Sequence, residues 1–334
     1  MSYNKKKINI AVIGAGSIGQ KHIKAIKSTK DANLVAIVDT NNNIDNNVKH
    51  FSSINEMFEN IKVDGAVVAT PNNLHLEHGL KLLNRKCHVL IEKPITTRST
   101  HTKKLINLSK KYKVKILVGH HRRHNEISKK AFELINIKKI LGIVRSVHIH
   151  CQMFKPDNYF NYDSWRKKEG AGPILVNLIH DIDLMNYLFG NVKSVFAYNR
   201  PSLRGFVNED LSGAIMKFEN GIICTILLSD SVVSPWSWEF TSQENSIYPF
   251  TKESCYFIGG NKASLSLPNL KIWTHKKEPN WHNSMISKKL IVKKTDPLVA
   301  QMQHFIKIIK TDIDPLVDAE TANKSLKVIE AIKL

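Results

Sequence analysis

Ile8-Asn9-Ile10-Ala11-Val12-Ile13, then Gly14-Ala15-Gly16-Ser17-Ile18-Gly19, and further on Leu34-Val35-Ala36-Ile37-Val38-Asp39 are the pieces from which the fold is read. The first six residues, apolar but for Asn9, have the character of a strand. The glycines that follow are spaced G-x-G-x-x-G, and a mixed polar and apolar run reaches Lys27. The order is therefore strand, glycine turn, helix, strand, acid. Each part has a purpose if a dinucleotide lies across it. Gly14 permits a tight turn, Gly16 lets the backbone approach a pyrophosphate, and Gly19 lets the helix pack closely on its strand. Ser17 and Ile18 open the helix, whose unpaired N–H groups and positive dipole end suit phosphates. Asp39 stands twenty residues past Gly19, where a carboxylate can accept hydrogen bonds from ribose hydroxyls. The same carboxylate would repel a 2′-phosphate, and Thr40, Asn41 and Asn42 bring no cation to hold one. NAD is expected as the cofactor rather than NADP. A lone G-x-G-x-x-G is weak evidence; its strand, helix and acid give it weight.

A chain of 334 residues, 42% hydrophobic, has room for two domains and a sizeable core. No apolar run approaches the roughly 20 residues that span a bilayer. The polar, basic stretch Met1 to Lys7 runs straight into the first strand, so no signal peptide is expected. Cys87, Cys151, Cys224 and Cys255 form no C-x-x-C pair and read as free thiols in a reducing cytoplasm. No Cys/His cluster has the spacing of a metal site. The net charge of +20 raises the question of nucleic acid. The excess is scattered lysine, with only eight arginines and short runs such as Lys5-Lys6-Lys7. Without a basic, aromatic-interleaved strip, neither nucleic acid nor membrane is expected as a partner. The charge suits steering of anionic solutes.

After Asp39 come an asparagine-rich loop and a short helix near Ile54 to Asn60. Gly65 to Ala69 reads as a strand covered on both faces, and it ends in Thr70-Pro71-Asn72-Asn73-Leu74-His75. A helix follows to about Asn84, then the strand His88 to Ile91, which ends in Glu92-Lys93-Pro94. A helix from about Thr100 to Tyr112 precedes the strand Val114 to Val118, ending in Gly119-His120-His121-Arg122-Arg123. Such alternation argues for a parallel sheet with right-handed crossovers. Ligands of these sheets bind beyond the carboxyl ends of the strands, the edge that carries Thr70, Asn72, Lys93, His120 and Arg123.

From about Glu126 the rhythm changes. Ile143 to His150 alternates, and Val195 to Asn199, Leu211 to Phe218, Ile222 to Ser229, Ser254 to Ile258 and Ala263 to Leu267 follow at short intervals. These predict a largely antiparallel sheet. The expected fold is α/β: a Rossmann domain over residues 1–123 and an α+β domain with an open, mostly antiparallel sheet over 124–334. The closing helices, about Leu298 to Lys310 and Ala319 to Lys333, are expected to pack back on the first domain.

Between these strands, Pro173 and Gly190 bracket a helix from Ile174 to Phe189. At about 100° per residue, Ile174, Leu175, Leu178, Ile179, Ile182, Met185 and Phe189 fall on one face. His180 centres the opposite face, among Val176, Asn177, Asp183, Leu184 and Tyr187. The wheel alone reads His180 as a surface histidine; the half-apolar character of its face points to something other than water covering it.

In this order and spacing, Gly14-x-Gly16-x-x-Gly19, Ala69-Thr70-Pro71-Asn72, Glu92-Lys93-Pro94, Arg122-Arg123 and the helix of His180 resemble the Gfo/Idh/MocA family. Its members include glucose–fructose oxidoreductase and inositol dehydrogenase. The resemblance extends over nearly the whole chain, including the closing helix at Asp296-Pro297-Leu298. It implies a Rossmann domain, a substrate domain on an open antiparallel sheet, and a homodimer or homotetramer built through such sheets. It implies Lys93 and His180 as the catalytic residues and a cis bond before Pro94 that aims Lys93. The roles make chemical sense. Oxidising a secondary alcohol requires removal of the hydroxyl proton as hydride leaves carbon. A histidine titrating near neutrality can take the proton, and an ammonium can stabilise the developing oxyanion. Thr70, Asn72, His75, Glu92 and Lys93 are assigned to the cofactor, and Arg123 to the substrate. Many relatives carry an aspartate one turn before the histidine, where this chain has Val176. Asn177 is then expected to contact substrate through its amide, and Asp183 to orient a substrate hydroxyl.

Just before this helix, Tyr159, Trp165 and Arg166 offer aromatic faces and a cation suited to a sugar ring. Ser229-Asp230-Ser231 and Trp236-Ser237-Trp238-Glu239 do so later, although core or interface positions account for these aromatics equally well. The expected activity is NAD-dependent oxidation or reduction of a sugar, sugar derivative or cyclitol. A hydrolase or lyase with recycling NAD and a non-catalytic NAD sensor are the alternatives.

Overall fold

Apolar strands alternating with amphipathic helices build the first of two compact units, Met1–His124 together with Thr295–Leu326; the second is Asn125–Lys294 with Lys327–Leu334. The computed structural model describes residues 7–41, 48–161 and 164–334, except the side chains of Ser164 and Trp165. The division begins one residue after the expected boundary, and residues 295–326 belong with the first unit.

In that unit, β1 (Ile8–Ile13), β2 (Ala32–Val38), β3 (Lys49–Phe51), β4 (Gly65–Val68), β5 (His88–Ile91) and β6 (Ile116–Val118) form one sheet in the order β3-β2-β1-β4-β5-β6. Every pairing is parallel. Strand order reverses between β1 and β4, which in doubly wound sheets is where a ligand crevice opens. The helices are α1 (Ser17–Lys27), α2 (Ile54–Asn60), α3 (His75–Asn84) and α4 (Thr102–Tyr112). The central strands β4 and β5 are almost wholly buried, so their side chains read as continuous apolar runs.

The second unit contains α5 (Glu126–Phe132), β7 (Val144–Gln152), α6 (Asp157–Asn161), α7 (Ile179–Phe189), β8 (Val192–Pro201), β9 (Glu209–Phe218), β10 (Ile223–Ser229) and α8 (Trp238–Thr241). It continues through β11 (Tyr256–Gly260), β12 (Ser264–Leu267), β13 (Lys271–His275) and β14 (Met285–Lys289). The eight strands pair in the order β14-β13-β12-β11-β7-β10-β9-β8. All neighbours are antiparallel except β7 and β10. Alternate residues such as Ile149, Met216, Ile226 and Ile258 are buried on one face of the sheet. Phe196, Tyr198, Ile215, Ile223, Leu227 and Phe257 are exposed on the other. β3, β13 and β14 were not expected from the sequence.

Two helices close the chain. α9 (Pro297–Thr311) starts at Asp296, whose carboxylate accepts from Leu298 N at 2.8 Å, with Pro297 in the first turn. α9 belongs to the first unit and lies on its sheet at Gly65, where a Cβ would stand 2.7 Å from Ile309 Cδ1 and 3.1 Å from Phe305 Cε1. α10 (Ala319–Lys333) is the last element.

Candidate active site

The glycine turn of the first unit assigns a separate task to each glycine. Gly14 has φ +88°, and a Cβ there would stand 2.8 Å from Thr70 Cγ2 and 2.9 Å from the Ala69 carbonyl. The turn after β1 therefore sits directly against the turn after β4. At Gly19 a Cβ would lie 2.0 Å from Gly14 O, so α1 can close on the turn only with glycine. A Cβ at Gly16 would meet nothing within 4 Å. That open side adjoins the start of α1, which has no side-chain cap and no acid in its first turn. Asp39 reaches the same turn: Ala15 N donates to Oδ2 at 2.6 Å and Asn41 N to Oδ1 at 2.8 Å. A carboxylate has about four lone-pair sites, so it can still accept from a ribose. Open backbone at Gly16, uncapped N–H groups at Ser17 and Ile18, and the fixed acid together fit a dinucleotide.

Two further loops are joined to this edge. His75, at the start of α3, is buried; its Nδ1 lies 2.7 Å from Pro94 O and its Nε2 2.8 Å from Thr70 O. Burial lowers the pKa of this ring more than the two carbonyls raise it. His75 was expected to touch the cofactor; its ring instead lies between the Thr70–Asn72 and Lys93–Pro94 loops, and in the neutral form its one N–H donates to one of the two carbonyls. The Lys93–Pro94 peptide is cis, and Lys93 is half-buried.

Glu92, also expected at the cofactor, turns inward and is only 5% exposed. Its Oε1 lies 2.7 Å from His22 Nε2 of α1, and Oε2 accepts from Lys93 N at 3.1 Å. Gly119 makes room for it, since a Cβ there would come within 2.8 Å of Glu92 Cδ. Burial alone would raise the pKa of this carboxyl. The hydrogen bond to His22 and the electrostatic pull of His22, His121 and Lys93 outweigh it and bring the group down to about 2. His120 and Arg123 follow β6 at the same sheet edge but are enclosed, Arg123 at 4% exposure. Arg123 sits in the short helical turn His121–His124, against which α9 packs.

In the second unit, α7 departs from the simple wheel. Residues Ile174–Leu178 form a wide π turn, and the α-helix proper begins at Ile179. Glu209 Oε1 accepts from Ile174 N at 3.0 Å, and Gly172 leaves space for that carboxylate. Gly190 closes the helix at φ +88°. Every residue from Ile179 to Met185 is buried, so the face that a wheel alone reads as exposed is covered, in keeping with its half-apolar character, and His180 is 9% exposed. Asp181 and Asp183 are enclosed with it, and the Tyr256 hydroxyl donates to Asp181 Oδ1.

Asn177 is half-buried in the π turn and accepts at Oδ1 from Lys155 Nζ at 2.8 Å. Lys155 also lies 3.2 Å from Asp230 Oδ2, and Arg204 Nη1 holds Asp230 Oδ1 at 3.2 Å. The sequence reading missed Lys155 and Arg204. The available signal was a lysine set between Met153-Phe154 and Pro156 at the end of a strand. Tyr159 and Arg166 do come together: the guanidinium carbon stands 4.1 Å from the ring centroid, and Nη1 donates to Tyr159 O at 2.7 Å. The side chain of Trp165 lies outside the described residues. Trp238 is core, stacked on Tyr256 at 5.6 Å, whereas Trp236 is exposed. Among the described residues no group of three or more His, Cys, Asp or Glu is placed to hold a metal, and no helix is long and apolar enough to cross a membrane. All four cysteines are buried free thiols.

The profile of an oxidoreductase family with an NAD-binding Rossmann fold matches residues 8–120, and the profile of its C-terminal alpha/beta domain matches residues 134–334. The chain belongs to the Gfo/Idh/MocA family. It is an NAD(P)-dependent oxidoreductase. Glucose-6-phosphate 3-dehydrogenase of Bacillus subtilis is 31% identical over 192 residues, covering 54% of this chain and 53% of that protein. 2,7-Anhydro-N-acetylneuraminate hydratase of Escherichia coli is 28% identical over 273 residues, 78% of this chain and 67% of that one. Among solved structures, the WlbA dehydrogenase of Bordetella pertussis in complex with NADH and UDP-GlcNAcA has a TM-score of 0.76 at 23% identity, over 98% of this chain and 96% of that one. That last likeness shows the fold.

Proposed function

We propose that the protein moves a hydride between NAD and a secondary alcohol of a sugar, sugar derivative or cyclitol. The observation that carries this reading is the glycine turn packed against the Thr70 loop, which His75 in turn bridges to the loop that presents Lys93. NAD, when bound, supplies the hydride acceptor. Gly16, Ser17, Ile18, Thr70 and Asn72 hold it at the phosphates and sheet edge, and Asp39 selects NAD over NADP by charge. His180 takes the hydroxyl proton at an imidazole nitrogen as general base, and returns it in the reverse direction. Lys93 stabilises negative charge on the reacting oxygen with its ammonium. Asp183 and Asn177 orient the substrate, with Tyr159 and Arg166 beside the ring. The exposed apolar face of the second unit's sheet is the surface through which two or four copies associate. Buried thiols throughout suit a reducing, cytoplasmic setting.

The test is absorbance at 340 nm with polyols, hexoses, uronic acids and sugar phosphates, each with NAD+ and with NADP+. At least one compound should reduce NAD+ faster than NADP+. For that compound, His180→Ala and Lys93→Met should lower kcat by about 10²–10⁴-fold. Wild-type rates in both variants would overturn the assignment.

The hydratase relative favours one second reading, in which the same residues serve a cycle that returns the hydride to its product. Turnover without added cofactor and without NADH accumulation would select it.

A further inference from the structure

The β13–β14 hairpin of the second unit concentrates what the rest of the chain scatters. Residues 271–294 hold seven lysines against one acid, Glu278, whereas basic residues are about one in seven over the whole chain. A uniform compositional bias would not double the density in one place. Six of the lysines fall in pairs, Lys276-Lys277, Lys288-Lys289 and Lys293-Lys294, and all six are exposed. Lys271 lies over Trp273, its Nζ 4.2 Å from the ring centroid, and Trp281 stands 91% exposed in the turn. The expectation that the chain has no basic, aromatic-interleaved strip therefore fails at this hairpin.

β14 is the last strand at one edge of the sheet and is exposed throughout. Lysines on an edge strand serve to block pairing with another chain. That accounts for Lys288 and Lys289, which lie in β14. It does not account for the two pairs outside the strand, nor for the large apolar side chains set among the charges. Ile291, between the last two pairs, is 92% exposed, and Met285 and Ile286 are half-exposed. The turn that carries Trp281 is hydrogen-bonded across itself. Lys276 N donates to Ser284 O at 3.0 Å, Asn283 N to Asn280 O at 2.9 Å and Asn283 Nδ2 to Glu278 O at 2.8 Å. His282 N donates to Asn280 Oδ1 at 3.0 Å. A turn fixed in this way holds the indole in water, an exposure that burial against an apolar phase would relieve.

Cations around outward-facing Trp, Met and Ile suit an anionic lipid surface. Tryptophan settles at the headgroup level, aliphatic side chains enter the acyl boundary, and lysines meet the lipid phosphates. Nucleic acid fits less well. The segment has no arginine to fork onto phosphates or base edges, and apart from Trp281 its most exposed apolar side chains are not aromatic and offer no stacking face. We infer that the β13–β14 hairpin docks the protein on an anionic membrane surface. Trp281 and Ile291 enter the headgroup layer, and the three lysine pairs bind acidic headgroups.

Co-sedimentation of the full chain with vesicles tests this, using phosphatidylcholine alone and phosphatidylcholine mixed with phosphatidylglycerol. The mixed vesicles should bind about tenfold or more tighter, and added salt should weaken them. Because the whole chain carries +20, variants must locate the contact. Lys276→Gln with Lys277→Gln should lower affinity for the mixed vesicles about tenfold. Lys103→Gln with Lys104→Gln removes the same charge from exposed positions of α4 and should leave that affinity nearly unchanged. Trp281→Ser should weaken binding to the mixed vesicles and reduce the quenching of tryptophan fluorescence by brominated lipid. All five side chains are exposed, so wild-type melting temperatures are expected. Equal binding to both vesicle types, equal losses in the hairpin and α4 variants, or an unaltered Trp281→Ser variant would overturn the inference. So would tighter binding, per phosphate, to poly(U) than to the mixed vesicles, which would make the partner a nucleic acid.

Discussion

Gly16 and Gly19 stand three residues apart and should respond in opposite ways to one added methyl group. At Gly19 the methyl would lie 2.0 Å from Gly14 O, so either α1 or the turn must move. Gly19→Ala is expected to cost about 1–3 kcal/mol, as overpacking does, and to abolish NAD binding. At Gly16 the methyl enters open space and φ is −64°, which alanine adopts freely. Gly16→Ala should keep the wild-type melting temperature and lose NAD affinity. Thermal melts with NAD titrations check both; a stable, NAD-binding Gly19→Ala would refute the packing argument. These two roles were legible from spacing because backbone geometry fixes them. The roles of His75 and Glu92 were not. A histidine or glutamate next to a cofactor loop looks the same in sequence whether it faces the ligand or the interior. For His180 the wheel alone misleads, since it assumes one solvent side and α7 has none over Ile179–Met185; the half-apolar character of its face was the signal that it is covered.

Glu92 joins three elements, receiving His22 from α1, ending β5, and filling the space at Gly119 after β6. Its carboxyl is held at about 2, below its unfolded value near 4.5. A group with a depressed folded pKa stabilises above its unfolded value and loses that contribution as pH falls through the folded one. The window is therefore from about pH 4.5 down to about 2, and the shift corresponds to roughly 3 kcal/mol at neutral pH. Glu92→Gln should lower the urea midpoint at pH 7, and the gap to wild type should shrink by pH 3. A constant gap between those pH values would show that ionisation of Glu92 does not stabilise the unit. At this scale the sequence was most readable where one face of an element is buried. β7 to β12 were all expected, β7 from its alternation and the rest from short, closely spaced apolar runs, with bounds a few residues off. β13 is half-buried throughout, β14 is exposed throughout, and β3 has three residues. Strands at or near a sheet edge bury no continuous face, so their sequences carry no period to detect.

Across the whole molecule, the second unit leaves Phe196, Tyr198, Ile215, Ile223, Leu227 and Phe257 exposed on one sheet face. Contiguous apolar surface of this kind marks association sites. If copies pair through it, Phe196→Asp combined with Tyr198→Asp should convert the oligomer to monomer in sedimentation velocity without lowering the melting temperature of the isolated chain. A wild-type protein that sediments as a monomer at micromolar concentration would remove the proposal. The parallel sheet and its ligand-bearing edge were readable from the alternation of strands and helices over residues 1–123. The return of residues 295–326 to the first unit was only partly so, because nothing local in a helix names its neighbour.

That return has a consequence for how the protein is made. Gly65 of β4 is shaped to receive Phe305 and Ile309 of α9, and Val118 N of β6 donates to Val317 O at 2.9 Å. A ribosome releases the glycine turn, β4 and β6 long before these partners exist. Until the last tenth of the chain emerges, the first unit lacks the cover over its central strands, while the second unit, apart from its final residues, is already synthesised. The nascent dinucleotide unit must therefore wait, with apolar sheet uncovered, for the translation of its closing helix.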